Sequence, residues 1–394
     1  MFNVPDTADA AATCPPFKAV GPKPAGFFAD CDPAANFDGT RPIADHFNEL
    51  IVNLHALAVQ AGNITGPKGD PTILWRCIQG MQRIFTIDTA VDLYVSPTGS
   101  SAPADPLGGD PFDSLLGAFV WLGYRSITAR GSVTIHLADG TYTQGTPLVL
   151  HHADGMRITV AGTSASTQLS FPYSSGIQVP GPLAAITNVT ILGANVAGSI
   201  GLHVTGSLTD AANVTVNSFG AQGVVVENNG YLGFDTLNID NSGASGLGCF
   251  QGGVVVGNTL NVLNAAYHGG AAAWDSGVFI QDGGRAWITT LAIHNCNKGI
   301  MVSGTGAELR VASMTIAESL VGPVVEANDG GAIINSGPGN VGDWSATNSG
   351  GPVYFWANVY ALIRADGAFS AANKANCSPA ANTTGNISSY ILTT

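Results

Sequence analysis

The chain has 394 residues, 14 basic and 27 acidic for a formal net charge of −13, with 51 glycines and 45% hydrophobic residues. So large an apolar fraction with so few charges excludes a disordered chain, and the scarcity of cations argues against a nucleic-acid partner. The glycines keep no three-residue period over any length, which excludes collagen.

Residues 1–41 are rich in Pro, Ala and Asp and show neither helical nor strand period, so they read as an extended arm that a partner surface must order. The opening MFNVPDTADAAATCPPF has no basic n-region and no apolar h-region, so no export signal is expected. No apolar run reaches about 18 residues, so no membrane insertion is expected either. Asp30, Asp32 and Asp38 lack the spacing of a calcium loop and read as turn residues.

Residues 42–90 read as a helical segment. Ile43, Phe47, Leu50, Ile51, Leu54 and Leu57 recur at three- and four-residue steps, a stripe with no second helix nearby to cover it. Such a stripe calls for copies of the same helix, with Phe47, Leu50, Leu54 and Leu57 at a trimer interface. The following GPKGDP holds two Gly-X-Y triplets, which fit a narrow three-chain crossing.

From residue 91 the texture changes. LYVSPTG reads as strand and turn, DPFDSLLGAFVWLGY as an amphipathic helix, and VTIHLADGTYT as strand, turn and strand. Beyond them the chain repeats. Blocks opening at Gly223, Gly246, Gly277 and Gly299 each carry three mostly apolar residues and a second glycine at 230, 253, 284 and 306. A further short strand follows each block, starting at Leu237, Leu260, Leu291 and Met314, with Val189 and Val214 extending the series backwards. Units of about 23 residues with three short strands and glycine bends predict the coils of a parallel β-helix over residues 91–340. The glycines are expected to supply positive φ at the bends. Ser218, Asn241, Asn264, Asn295 and Glu318 align after the last strand and suggest a hydrogen-bonded ladder. Residues 341–394 drop the repeat and read as a β-rich tip, with two strands joined at residues 365–367.

The order of these parts resembles bacteriophage tail fibres and tailspikes. GTRPIADHFNELIVNLHAL is similar to their virion-proximal trimerisation segment, and DLYVSPTG, DPFDSLLGAF and VTIHLADGTYT look like the opening of a pectate-lyase-type right-handed β-helix. SPAANTTGNISSYI is similar to fibre-tip ends. The resemblance implies a mainly β, trimeric virion component, assembled in the host cytoplasm. Its arm would be fixed to other tail or baseplate proteins, and its tip would face a host glycan or other receptor.

The residues that could carry chemistry are few. Glu227, Asp235 and Asp240 are the carboxylates in the repeats that could serve catalysis, but the coil alignment points Glu227 and Asp235 from different faces. Basic residues are equally sparse there, so receptor binding is the reading and a tailspike depolymerase, hydrolase or lyase, is the alternative. No cofactor is expected, and the six scattered cysteines lack metal-ligand spacing and read as buried thiols. His151 and His152 are neighbours on a strand end, which point opposite ways and cannot share a metal. The step from Leu260 to Leu291 is longer than its neighbours, and the surplus holds Tyr267, His268, Trp274 and Asp275, an expected glycan-contact loop.

Overall fold

The structure is a computed structural model that describes residues 86–266, 276–319, 324–336, 344–348, 355–364, 377–378 and 389–392. The chain divides into two compact units, Met1–Thr86 and Ile87–Thr394, and the description below concerns the second. The arm, the helical segment with Phe47, Leu50, Leu54 and Leu57, and the loop with Tyr267, His268, Trp274 and Asp275 lie outside the described residues.

The second unit is a parallel β-solenoid. Among the described residues, a wide sheet of 17 strands and a narrow sheet of 10 strands are both built from parallel pairs of successive coils. The register follows the sequence spacing. Val214 pairs with Leu237, Leu237 with Leu260, Leu260 with Leu291 and Leu291 with Met314. The long step from Leu260 to Leu291 therefore does not shift the ladder by a residue. Alternation sends these side chains and their partners two residues on (Val216, Ile239, Val262, Ile293, Ile316) into one continuous core, where they are buried. Val224, Leu247, Val278, Ile300, Val325 and Phe355 close the core from the narrow sheet.

The glycines at the coil starts have a different purpose from the expected one. None of Gly223, Gly246, Gly277 and Gly299 has a positive φ. A Cβ on each would instead lie 2.3, 2.4, 2.7 and 2.9 Å from a side-chain carbon of Ile239, Val262, Ile293 and Ile316. These positions must be bare because the narrow strand begins directly against the aliphatic column. Positive φ falls instead on Gly252, Gly283, Gly306 and Gly330 at another bend, as expected of glycine, and on Ser218, Asn241, Asn264 and Asn295, the aligned residues after the last strand. Asn tolerates that region, which explains its recurrence there better than an unbroken amide ladder does. Of the ladder bonds, Asn241 donates to Ser218 Oγ at 3.2 Å, but Asn264 donates to the Asp240 carboxylate at 3.0 Å. One alignment shifts. Ala307, not Gly306, stacks over Gly284, since the Glu308 amide bonds the Gly284 carbonyl and Arg285 pairs with Glu308.

The predicted helix is present as α1, Leu115–Leu122, capped by Ser114 Oγ, which accepts from the Gly117 amide at 3.2 Å. It buries Leu115, Ala118, Phe119 and Leu122 at the N-terminal end of the solenoid. His152, only 6% exposed, donates its Nε2–H towards the Leu122 and Arg125 carbonyls at 3.1 and 3.0 Å, tying the end of α1 to the coils. Beyond residue 341 the described strands stay in the stack. Phe355–Ala357 pairs in parallel with Val325–Asn328 on the narrow sheet, and Leu362–Arg364 with Ala332–Asn335 on the wide sheet. These two strands belong to different sheets and do not pair with each other, and residues 365–367 lie outside the described residues.

Candidate functional site

The coil cross-section changes along the wide sheet, and the site begins at the first change. In the coils of Pro182–Thr187 and Ser207–Ala212 a corner asparagine, Asn188 or Asn213, takes φ of 53° or 54° and breaks the wide face into two strands. Asn213 donates to Asn188 Oδ1 at 3.2 Å, which braces this corner. From Tyr231–Asp240 to Glu308–Ser319 one strand of ten to twelve residues runs through the corner, where Thr236, Thr259, Thr290 and Ser313 stack in register, and the next coil divides again into Ala332–Asn335 and Trp344–Asn348.

The mismatch between the two coil shapes appears as a bulge. Leu208 pairs with Leu232 and Ala211 with Phe234, so Thr209 and Asp210 together oppose Gly233. Both bulged side chains leave the core side, as bulges re-aim residues. Gly233 makes this possible, because a Cβ there would sit 2.0 Å from the Thr209 carbonyl oxygen. Next to the bulge opens a groove of about 560 Å3 on the outer face. Thr209 and Asp210 lie at one end and Ala312 and Ser336 at the other, with Tyr231, Asp235, Asn258, Trp287 and Thr289 between them and Gly233, Val256 and Gly257 on its floor. The first and last of these coils are five coil intervals apart, about 24 Å at the usual strand spacing.

The polar groups of the groove are mostly uncommitted. Asn258 Nδ2 donates to Asp235 Oδ1 at 2.9 Å. Asp210 accepts no hydrogen bond among the described residues, and burial together with the neighbouring Asp235 charge pushes its carboxyl above the usual range. Further along the groove Trp287 donates its indole N–H to Glu308 at 3.3 Å, and Arg310 holds both oxygens of that carboxylate at 2.6 and 3.3 Å. That pairing holds Glu308 below the usual carboxylate range and raises Arg310. A long shallow groove with aromatic rings, two carboxylates, an amide and hydroxyls can meet a sugar by its C–H faces and its hydroxyls.

The three carboxylates singled out in the sequence are placed apart. Glu227 follows Val224–Val226 on the narrow sheet and lies 2.9 Å from His203 Nε2. Asp240 is a corner residue that accepts from Asn264. Asp235 alone is in the groove, and its neighbour there is Asp210. Sequence reading missed Asp210, Tyr231, Asn258 and Trp287. Trp287 was within reach, because Ala286 and Ile288 point inward and leave it outside. Asp210 was not, because its outward aim depends on the bulge.

Among the described residues no three His, Cys, Asp or Glu side chains gather as a metal site, and no described helix is long and apolar enough to cross a membrane. Cys249 and Cys296 are buried free thiols whose pKa values burial pushes up to about 12. No protein-family profile matches the chain, and no curated protein sequence does. One solved structure that aligns with it is ORF18 of Geobacillus virus E2, 12% identical over 76% of this chain and 66% of that one, with a TM-score of 0.37. The chain thus spans just under two thirds of that protein's length.

Proposed function

We propose that this protein is a trimeric tail fibre or tailspike subunit of a bacteriophage. In this reading its N-terminal arm is held by other tail proteins, and its solenoid binds a host-surface glycan. The order of arm, amphipathic helix, Gly-X-Y crossing and solenoid supports the virion assignment. One observation carries the binding reading: the open groove that sets Tyr231 and Trp287 beside Asp210, Asp235 and Asn258. The test is an array of purified bacterial capsule and O-antigen polysaccharides. The full chain is expected to bind one of them. Trp287→Ala should weaken that binding by about tenfold or more, since covering one aromatic face contributes on the order of 1–3 kcal/mol. Binding to nothing on the array, or equal binding by Trp287→Ala, overturns the reading.

A depolymerase is the second reading, and the Asp210–Asp235 pair favours it. A partly buried carboxyl pushed above its usual range beside a second carboxylate is the arrangement that splits a glycosidic bond by general acid and base. Release of reducing ends from the bound polysaccharide, lost in Asp210→Asn, would decide for it.

A further inference from the structure

Trp287 lies on the outer face of Arg285–His294, yet it is only 39% exposed. Its column runs from Val256 on the preceding coil to Arg310 on the next. Glu308 occupies the diagonal position, opposite Arg285, from which a long side chain reaches across to the ring. Arg310 stands two residues further on the same strand and face, directly opposite Trp287, and grips Glu308 from there. A tryptophan on an open sheet face otherwise has two free torsions and a donor in search of water or ligand.

We infer that Glu308 is a positioning residue: held by Arg310, it takes the indole N–H and fixes Trp287 so that the ring's face, not its donor, meets the ligand. The inference rests on the glycan-groove reading and sharpens it to one ligand feature, the apolar C–H face of a sugar ring. A ring fixed before binding has less freedom to lose on binding, which is the benefit of preorganisation. The hydrogen-bonding of the sugar then falls to Asp210, Asp235 and Asn258, away from the tryptophan.

The test needs no ligand. The full chain is prepared with 5-fluorotryptophan, and among its 6 tryptophans the Trp287 fluorine line is assigned by its loss in Trp287→Phe. One narrow line is expected, with a small shift between H2O and D2O. Glu308→Ala should broaden or split that line and enlarge the solvent shift, at an unchanged melting temperature. Glu308→Gln, whose amide oxygen still accepts, should restore the single line. An unchanged line in Glu308→Ala overturns the inference, as does a broadened line in Glu308→Gln. Failure of the glycan reading itself would show separately, as a wild-type chain that binds no polysaccharide.

Discussion

The two outer faces of the solenoid obey the same alternation and meet opposite fates. On the wide sheet, the outward residues Arg285, Trp287 and Arg310 stay in contact with water and one of them walls a groove. On the narrow sheet, the outward column Val225, Gly248, Phe279, Met301 and Glu326 is in register across five coils, yet Phe279 and Met301 are only 4% and 7% exposed. Part of the reason is local. The Phe250 ring folds back over Gly248, where a Cβ would lie 2.6 Å from it, and meets Phe279 edge-on at 5.4 Å. Further along, Glu326 is buried but paired with Lys298 at 2.8 Å and with the Asn328 amide at 2.6 Å. Alternation therefore decides which way a side chain leaves the strand, and neighbours decide whether it reaches solvent. Packing claims the narrow face and leaves the wide face open to solvent.

That contrast breaks most readily at Phe279. Phe279→Ala should cost about 3–5 kcal/mol in a urea melt, the usual price of a buried aromatic, although the residue points away from the solenoid core. A loss as small as that of an ordinary surface substitution would mean the narrow face is not a packed layer. Gly233→Val comes next. Its Cβ would strike the Thr209 carbonyl, so the bulge must give way, at about 1–3 kcal/mol for an overpacked site. The same variant should lose polysaccharide binding, because Asp210 loses its aim; full binding with intact stability would detach the groove from the bulge.

The smallest effect belongs to Asp210→Asn, read as melting temperature against pH. The Asp210 carboxyl titrates above its unfolded range. Its relative contribution to stability is therefore complete in acid and is lost as pH rises through the raised value, leaving the charged form a burden at neutral pH. Asn removes that burden. The variant should melt higher than the parent at pH 7, and the difference should vanish as pH falls below the ordinary carboxylate range. A difference that is flat with pH would mean that Asp210 is not held above its usual value.

Much of the solenoid was legible as spacing. Val189, Val214, Leu237, Leu260, Leu291 and Met314 recur because each coil must set the same inward side chain on the one before, and the pairing of these residues follows that series. The reasons behind other repeats were not legible. A recurring glycine looks the same whether it serves a positive φ or a close approach, and only the 2.3 Å that a Cβ on Gly223 would leave to Ile239 tells them apart. Ala307 hid behind Gly306 because one additional turn residue leaves a glycine near the expected place.

The sequence by itself determined the repeating core, its direction of stacking and its register, because those follow from side-chain alternation and the length of a coil. The tertiary structure alone decided the groove. Asp210, Asp235, Asn258 and Trp287 are spread over 78 positions of the chain and meet only because stacking turns one coil of sequence into a single strand spacing. The outward aim of Asp210 then depends on a one-residue bulge, and a bulge arises from how two adjacent coils fit, which neither coil's own sequence specifies.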